Sequence, residues 1–123
     1  MKSILLASLL ILSSATFAAS ESDIEIYKMA QSYLKGTHGK AKSPQIASKL
    51  FLDLAQKGFP MAQYMLGTLY LEGNGVKADL ETATLWLYLA ADKKFLPAIK
   101  KLSEIKERTS FQELDRANVA IAD

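Results

Sequence analysis

Apolar residues recur along most of this chain at the three- and four-residue spacing of a helix with one buried side, in two similar blocks. In the clearer block Ala62, Leu66, Leu69 and Tyr70 mark one helix and Gly73-Asn74-Gly75 breaks it. Leu80, Ala83, Leu87, Ala90 and Ala91 then form the inner stripe of a second helix. Asp79 stands where its carboxylate can accept from the free N–H groups that open that helix. In the earlier block Ser43-Pro44 does the same work, a Ser cap followed by Pro at the first helical position.

The two blocks align residue by residue. Tyr33-Leu34-Lys35-Gly36 returns as Tyr70-Leu71-Glu72-Gly73, 37 positions later. Ala47 returns as Ala83, and Lys57-Gly58-Phe59-Pro60-Met61-Ala62 is echoed by Lys93-Lys94-Phe95-Leu96-Pro97-Ala98, both at 36. The change of offset places one extra residue between Gly36 and Ala47, in a loop where an insertion costs least. A fixed period of this size is the mark of a solenoid, each unit burying its apolar side against the next. Small residues at the contact points (Ala47, Ala55, Ala62, Gly67, Ala83, Ala91, Ala98) suit close helix packing. After the second block, Ala98, Leu102 and Ile105 continue as a further helix. Ser110-Phe111-Gln112-Glu113 has the form of a capping box that would start a last one. The expectation is an all-α, short α-solenoid of antiparallel hairpins, about six helices after the first 19 residues.

The stretch Ala62-Gln63-Tyr64-Met65-Leu66-Gly67-Thr68-Leu69-Tyr70, then Gly73-Asn74-Gly75-Val76, Asp79, Ala83, Trp86 and Ala90-Ala91, resembles the Sel1-like repeat, a unit of the tetratricopeptide-like solenoids. The first block departs from that pattern with Ala30 in place of Gly, Leu50 in place of Trp, and Thr37-His38-Gly39 for the Gly-x-Gly-Val loop. The resemblance divides the chain into a degenerate repeat (23–58), a clear one (59–94) and capping helices (95–123). It implies a scaffold that binds protein segments.

Two surfaces stand out for such binding. On the helix from Leu80 to Ala91, Leu85, Tyr88 and Leu89 are apolar at positions that Sel1-like repeats usually give to polar residues. A helix apolar nearly all round expects cover on every side. The cover is either the last helix of this chain or another molecule, a second copy included, since monomers seldom expose a large apolar patch. The second surface is the concave side of the superhelix, where the first helix of each hairpin would present Tyr27 and Gln31, Tyr64 and Thr68, then Lys100 and Glu104.

Composition adds an address. The chain opens with Met1-Lys2-Ser3, a nine-residue run from Ile4 to Leu12 that is apolar but for Ser8, and small residues through Ala18-Ala19. That is the order of a secretory signal peptide, 1–19, with cleavage after Ala18 or Ala19, and it is too short for a spanning helix. A periplasmic or secreted domain, 20–123, with no membrane insertion after signal removal, is expected. The chain has no cysteine, so it has no disulfide, thiol catalyst or thiolate metal site. Its 15 basic and 13 acidic residues are interspersed, which argues against a nucleic-acid partner.

Catalytic chemistry is sparse. His38, the one histidine, lies in a polar loop without partners at suitable spacing. Ser-x-x-Lys occurs at Ser32–Lys35 and Ser103–Lys106, without the Ser-Asp-Asn and Lys-Thr-Gly elements that a penicillin-recognising enzyme also needs. No catalytic residue, metal site or cofactor is expected. The leading expectation is an interaction module whose partner is a protein. The alternatives are a cell-wall or β-lactam-related hydrolase, or an inhibitor or immunity protein for an exported enzyme or toxin.

Overall fold

The structure is a computed structural model that describes residues 19–122, with side chains to Val119. Among these residues five helices follow one another: α1 (Glu21–Lys35), α2 (Pro44–Gln56), α3 (Pro60–Glu72), α4 (Leu80–Asp92) and α5 (Leu96–Ala122). Each packs on the helix before and after it in the chain. The result is a solenoid of two hairpins, α1–α2 and α3–α4, closed by α5. The expected signal peptide lies outside the described residues except for Ala19.

Both expected caps form. Ser43 Oγ accepts from the Ile46 N–H at 3.3 Å, and Asp79 Oδ1 from the Thr82 N–H at 3.2 Å. Ser20 and Asp23 add a capping box at α1 that the pattern alone did not reveal. The repeat is written into the backbone as well. The Ser43 N–H donates to the Tyr33 carbonyl as the Asp79 N–H does to that of Tyr70, and the Phe59–Leu54 bond recurs as Phe95–Ala90. Gly36 and Gly73 both end a helix in the left-handed conformation.

The interior has two parts. Ala30, Ala47, Phe51, Leu54, Ala55, Ala62, Leu66 and Leu69 form the larger one between α1, α2 and α3. Leu87, Ala90 and Ala98 form a smaller one where α5 meets α4, with Tyr64, Phe95, Leu102 and Ile105 around it. Gly67 lets α4 come close: a Cβ there would lie 2.8 Å from Leu87 Cγ and 3.1 Å from the Ala83 carbonyl oxygen. Leu80, expected on the inner stripe, is half exposed at the first position of α4.

Among the described residues the helices number five rather than about six. Residues 106–110 contain no Gly or Pro, so nothing stops the helix that starts at Leu96. The expected capping box at Ser110 does not form; the segment stays helical through Ala122. Thr109 turns its hydroxyl onto the Ile105 and Lys106 carbonyls at 3.1 and 3.0 Å, within the same helix.

Candidate functional site

The outer side of α4 is built by subtraction. Ala83, Leu87 and Ala90 are fully buried, and half-buried Trp86 packs against the larger core. Helical geometry then turns Leu85, Tyr88 and Leu89 away together. They are 59%, 66% and 41% exposed. The last helix does not cover them, because α5 holds α4 by its other side, through Leu87, Ala90 and Ala98. Exposed Glu81 and Asp92 lie one turn beyond the ends of the patch on the same face, framing apolar surface with negative charge.

The residues expected on the concave side divide between two grooves. Tyr27 and Gln31 line one of about 410 Å³, whose other walls include Ile24, Phe59 and Met61. The Tyr27 hydroxyl accepts from Gln31 Nε2 at 3.3 Å, and its ring meets Phe51 edge-on at 5.6 Å. Burial pushes the Tyr27 hydroxyl pKa up, against the opposing pull of the Gln31 hydrogen bond. Tyr64 lines a second groove of about 820 Å³ with Lys100 and Glu104, and stacks at a tilt on Phe95, 5.5 Å between ring centres. Thr68 joins neither set of walls; its hydroxyl donates to the Tyr64 carbonyl at 3.0 Å.

The wall supplied by Ile24 and Met61 was missed from the sequence. Its signal was present: the two occupy the same place in successive repeats and are 47% and 48% exposed. One rim of this groove is tied by Lys57 Nζ, which donates to Asp23 Oδ1 at 2.9 Å and joins the end of α2 to the start of α1. That hydrogen bond, then the one from Ser20, holds the Asp23 carboxyl below the usual carboxylate range. Lys93 occupies the equivalent place in the next hairpin, and its ammonium reaches the Gly58 carbonyl.

His38 and Ser32 do meet, which the sequence spacing did not suggest: His38 Nδ1 lies 3.3 Å from Ser32 Oγ and 3.1 Å from Thr37 Oγ1. The pair is not arranged for nucleophilic attack. Ser32 is buried and its hydroxyl donates to the Lys28 carbonyl at 3.0 Å, so its proton is directed into the helix rather than to the imidazole. The contact pins the α1–α2 loop, where His38 sits exposed at positive φ. Ser103 and Lys106 lie one turn apart on the open side of α5 without a mutual hydrogen bond. Among the described residues no group of three His, Cys, Asp or Glu converges on a metal position, and no helix is long and apolar enough to cross a membrane.

With the hairpins and their glycine breaks in place, comparison with known families is decisive: the Sel1 repeat model matches residues 26–59 and 60–95, together more than half the chain. The chain belongs to the Sel1 repeat family. Sel1 repeat proteins are in general protein-interaction scaffolds. Among solved structures, the Sel1 repeat protein from Oxalobacter formigenes is similar at 32% identity and a TM-score of 0.64, over 67% of this chain and 61% of that one. A protective antigen of uropathogenic Escherichia coli strains with the same repeat fold, c5321, is similar at 35% identity and a TM-score of 0.55. That likeness covers 58% of this chain and 15% of the antigen. The chain thus spans less than two thirds of either relative. No curated protein matches.

Proposed function

We propose that this Sel1 repeat chain is an exported adaptor or regulator that binds a protein partner through the outer face of α4. The observation that carries the reading is the exposure of Leu85, Tyr88 and Leu89 on a helix whose opposite side fully buries Ala83, Leu87 and Ala90. Aromatic and aliphatic anchors grouped in this way are the usual centre of a protein interface. Glu81 and Asp92 at its ends favour a partner with basic residues around an apolar contact. The groove at Tyr27, Gln31 and Met61 is a second surface, suited to a short apolar segment. An inhibitor or immunity protein would act by the same kind of contact. The bond from the Ser32 hydroxyl to the Lys28 carbonyl favours the binding reading over a hydrolase that would use Ser32.

Export rests on the N-terminal pattern, with residues 1–19 removed and 20–123 forming the working domain. Protein purified from the exported fraction is expected to begin at Ala19 or Ser20 by N-terminal sequencing; a start at Met1 would contradict export. For the surface, a Leu85→Glu/Tyr88→Glu variant should lose the partner cross-linked to the parent in the native host and keep its helical signal. A Tyr27→Ala variant should retain it. Recovery by the first variant with loss in the second would move the site to the groove.

A further inference from the structure

Helix α5 outruns the solenoid. Arg108 is the repeat equivalent of Glu72, where α3 stops, yet α5 continues for a further 14 residues, about 21 Å. Ser110 through Val119 are all exposed. Within this stretch Phe111 and Leu114, 73% and 60% exposed, stand one turn apart, and Asn118 follows four residues on. That three-then-four spacing is the narrow stripe of a coiled-coil seam, here with a polar residue at its outer end. At about 100° per residue the stripe lies on the opposite side of α5 from Ala98, Leu102 and Ile105, which hold the helix to α4. Whatever docks on it is clear of α4.

The geometry points to a second copy of this chain as the occupant, its α5 lying antiparallel on this one. The stripe is self-complementary in that direction. With the two-fold axis between residues 112 and 113, Phe111 faces Leu114 of the other copy, and Leu114 faces its Phe111. In the next layer out, Asn118 faces the other copy's Glu107, an amide donor against a carboxylate acceptor near solvent. A polar layer of this kind costs stability and fixes register. On one flank Arg108 meets the other copy's Asp115, twice by symmetry. On the other flank Ser110 meets Ala117, small against small, which allows close approach. Arg108 and Asp115 are two turns apart in one chain, about 10 Å, and neither is ion-paired among the described residues. A parallel pairing would set Asp115 against Ser110 and Arg108 against Ser103, leaving both charges unmatched. With two Phe–Leu layers at its centre the association is weak and concentration-dependent.

Sedimentation of the full mature chain over a wide concentration range tests this. The mass should rise from monomer toward dimer, and Leu114→Glu should hold it at monomer with unchanged circular dichroism. Arg108→Asp or Asp115→Arg alone should raise the dissociation constant on the order of tenfold, and the two together should restore it. Because the chain lacks cysteine, Ser110→Cys and Ala117→Cys chains can be mixed and treated with a short bis-maleimide. A linked dimer should form faster in the mixture than in either chain alone. A monomer at every concentration, equal linking of Ser110→Cys with itself, or no rescue by the double reversal would overturn the proposal. So would dimerisation abolished by Leu85→Glu/Tyr88→Glu but untouched by Leu114→Glu, a result that bears on the α4 face instead.

Discussion

Single residues set how closely the units approach. Gly75 has φ +78°, and a Cβ there would lie 2.3 Å from the Pro44 carbonyl oxygen, in the opening turn of α2. Gly39, in the corresponding loop of the first repeat, has nothing within 4 Å. Gly75→Ala should therefore cost at least about 1–3 kcal/mol, read by urea unfolding, and Gly39→Ala less, since it meets only the strain of positive φ. Asp23 governs a pH effect. Its pKa is lowered in the folded chain, so the stability it contributes is present above the ordinary carboxylate range and lost as pH falls through the depressed value. Lys57, raised by the same bond, loses its share only as pH climbs past the usual ammonium range. Thermal melts of Asp23→Asn should show a shallower acid loss below about pH 4 and a lower melting point at neutrality.

At the level of the helix, α4 depends on one side chain more than any other. Leu87 is fully buried between Gly67 and the α5 contact, so Leu87→Ala should destabilise by about 2–5 kcal/mol in chemical unfolding. Most of the elements were legible beforehand, because caps and breakers act locally: Ser43-Pro44, Asp79 and the glycines at 36 and 73 mark boundaries that the structure keeps. The last boundary failed for a physical reason. Ser-x-x-Glu can cap a helix only where the chain has left helical geometry, and no residue before Ser110 makes it leave. The exposure of Leu85, Tyr88 and Leu89 was equally legible as an excess of apolar residues, whereas their uncovered state depends on which side of α4 the last helix takes. The Ser32–His38 contact was not legible, since it arises from the positive-φ bend at His38.

For the molecule as a whole, the part of α5 past the core carries little of the fold. Removing residues 111–123 should lower the melting temperature by no more than a few degrees while reducing helical ellipticity, because the side chains lost from Phe111 to Val119 are exposed. The grooves at Tyr27 and Tyr64 were the least predictable feature, since the two tyrosines follow one repeat rule yet face different neighbours, Phe51 and Phe95. The unequal interiors have a further consequence. A solenoid opens from its weaker end, and here that end is the small cluster of Leu87, Ala90 and Ala98 rather than the larger one built on Phe51. Amide exchange should run as a gradient, fastest in α5 and slowest through α2. A ligand clasped to α4 would act as a latch on that gradient, slowing exchange in helices it never touches.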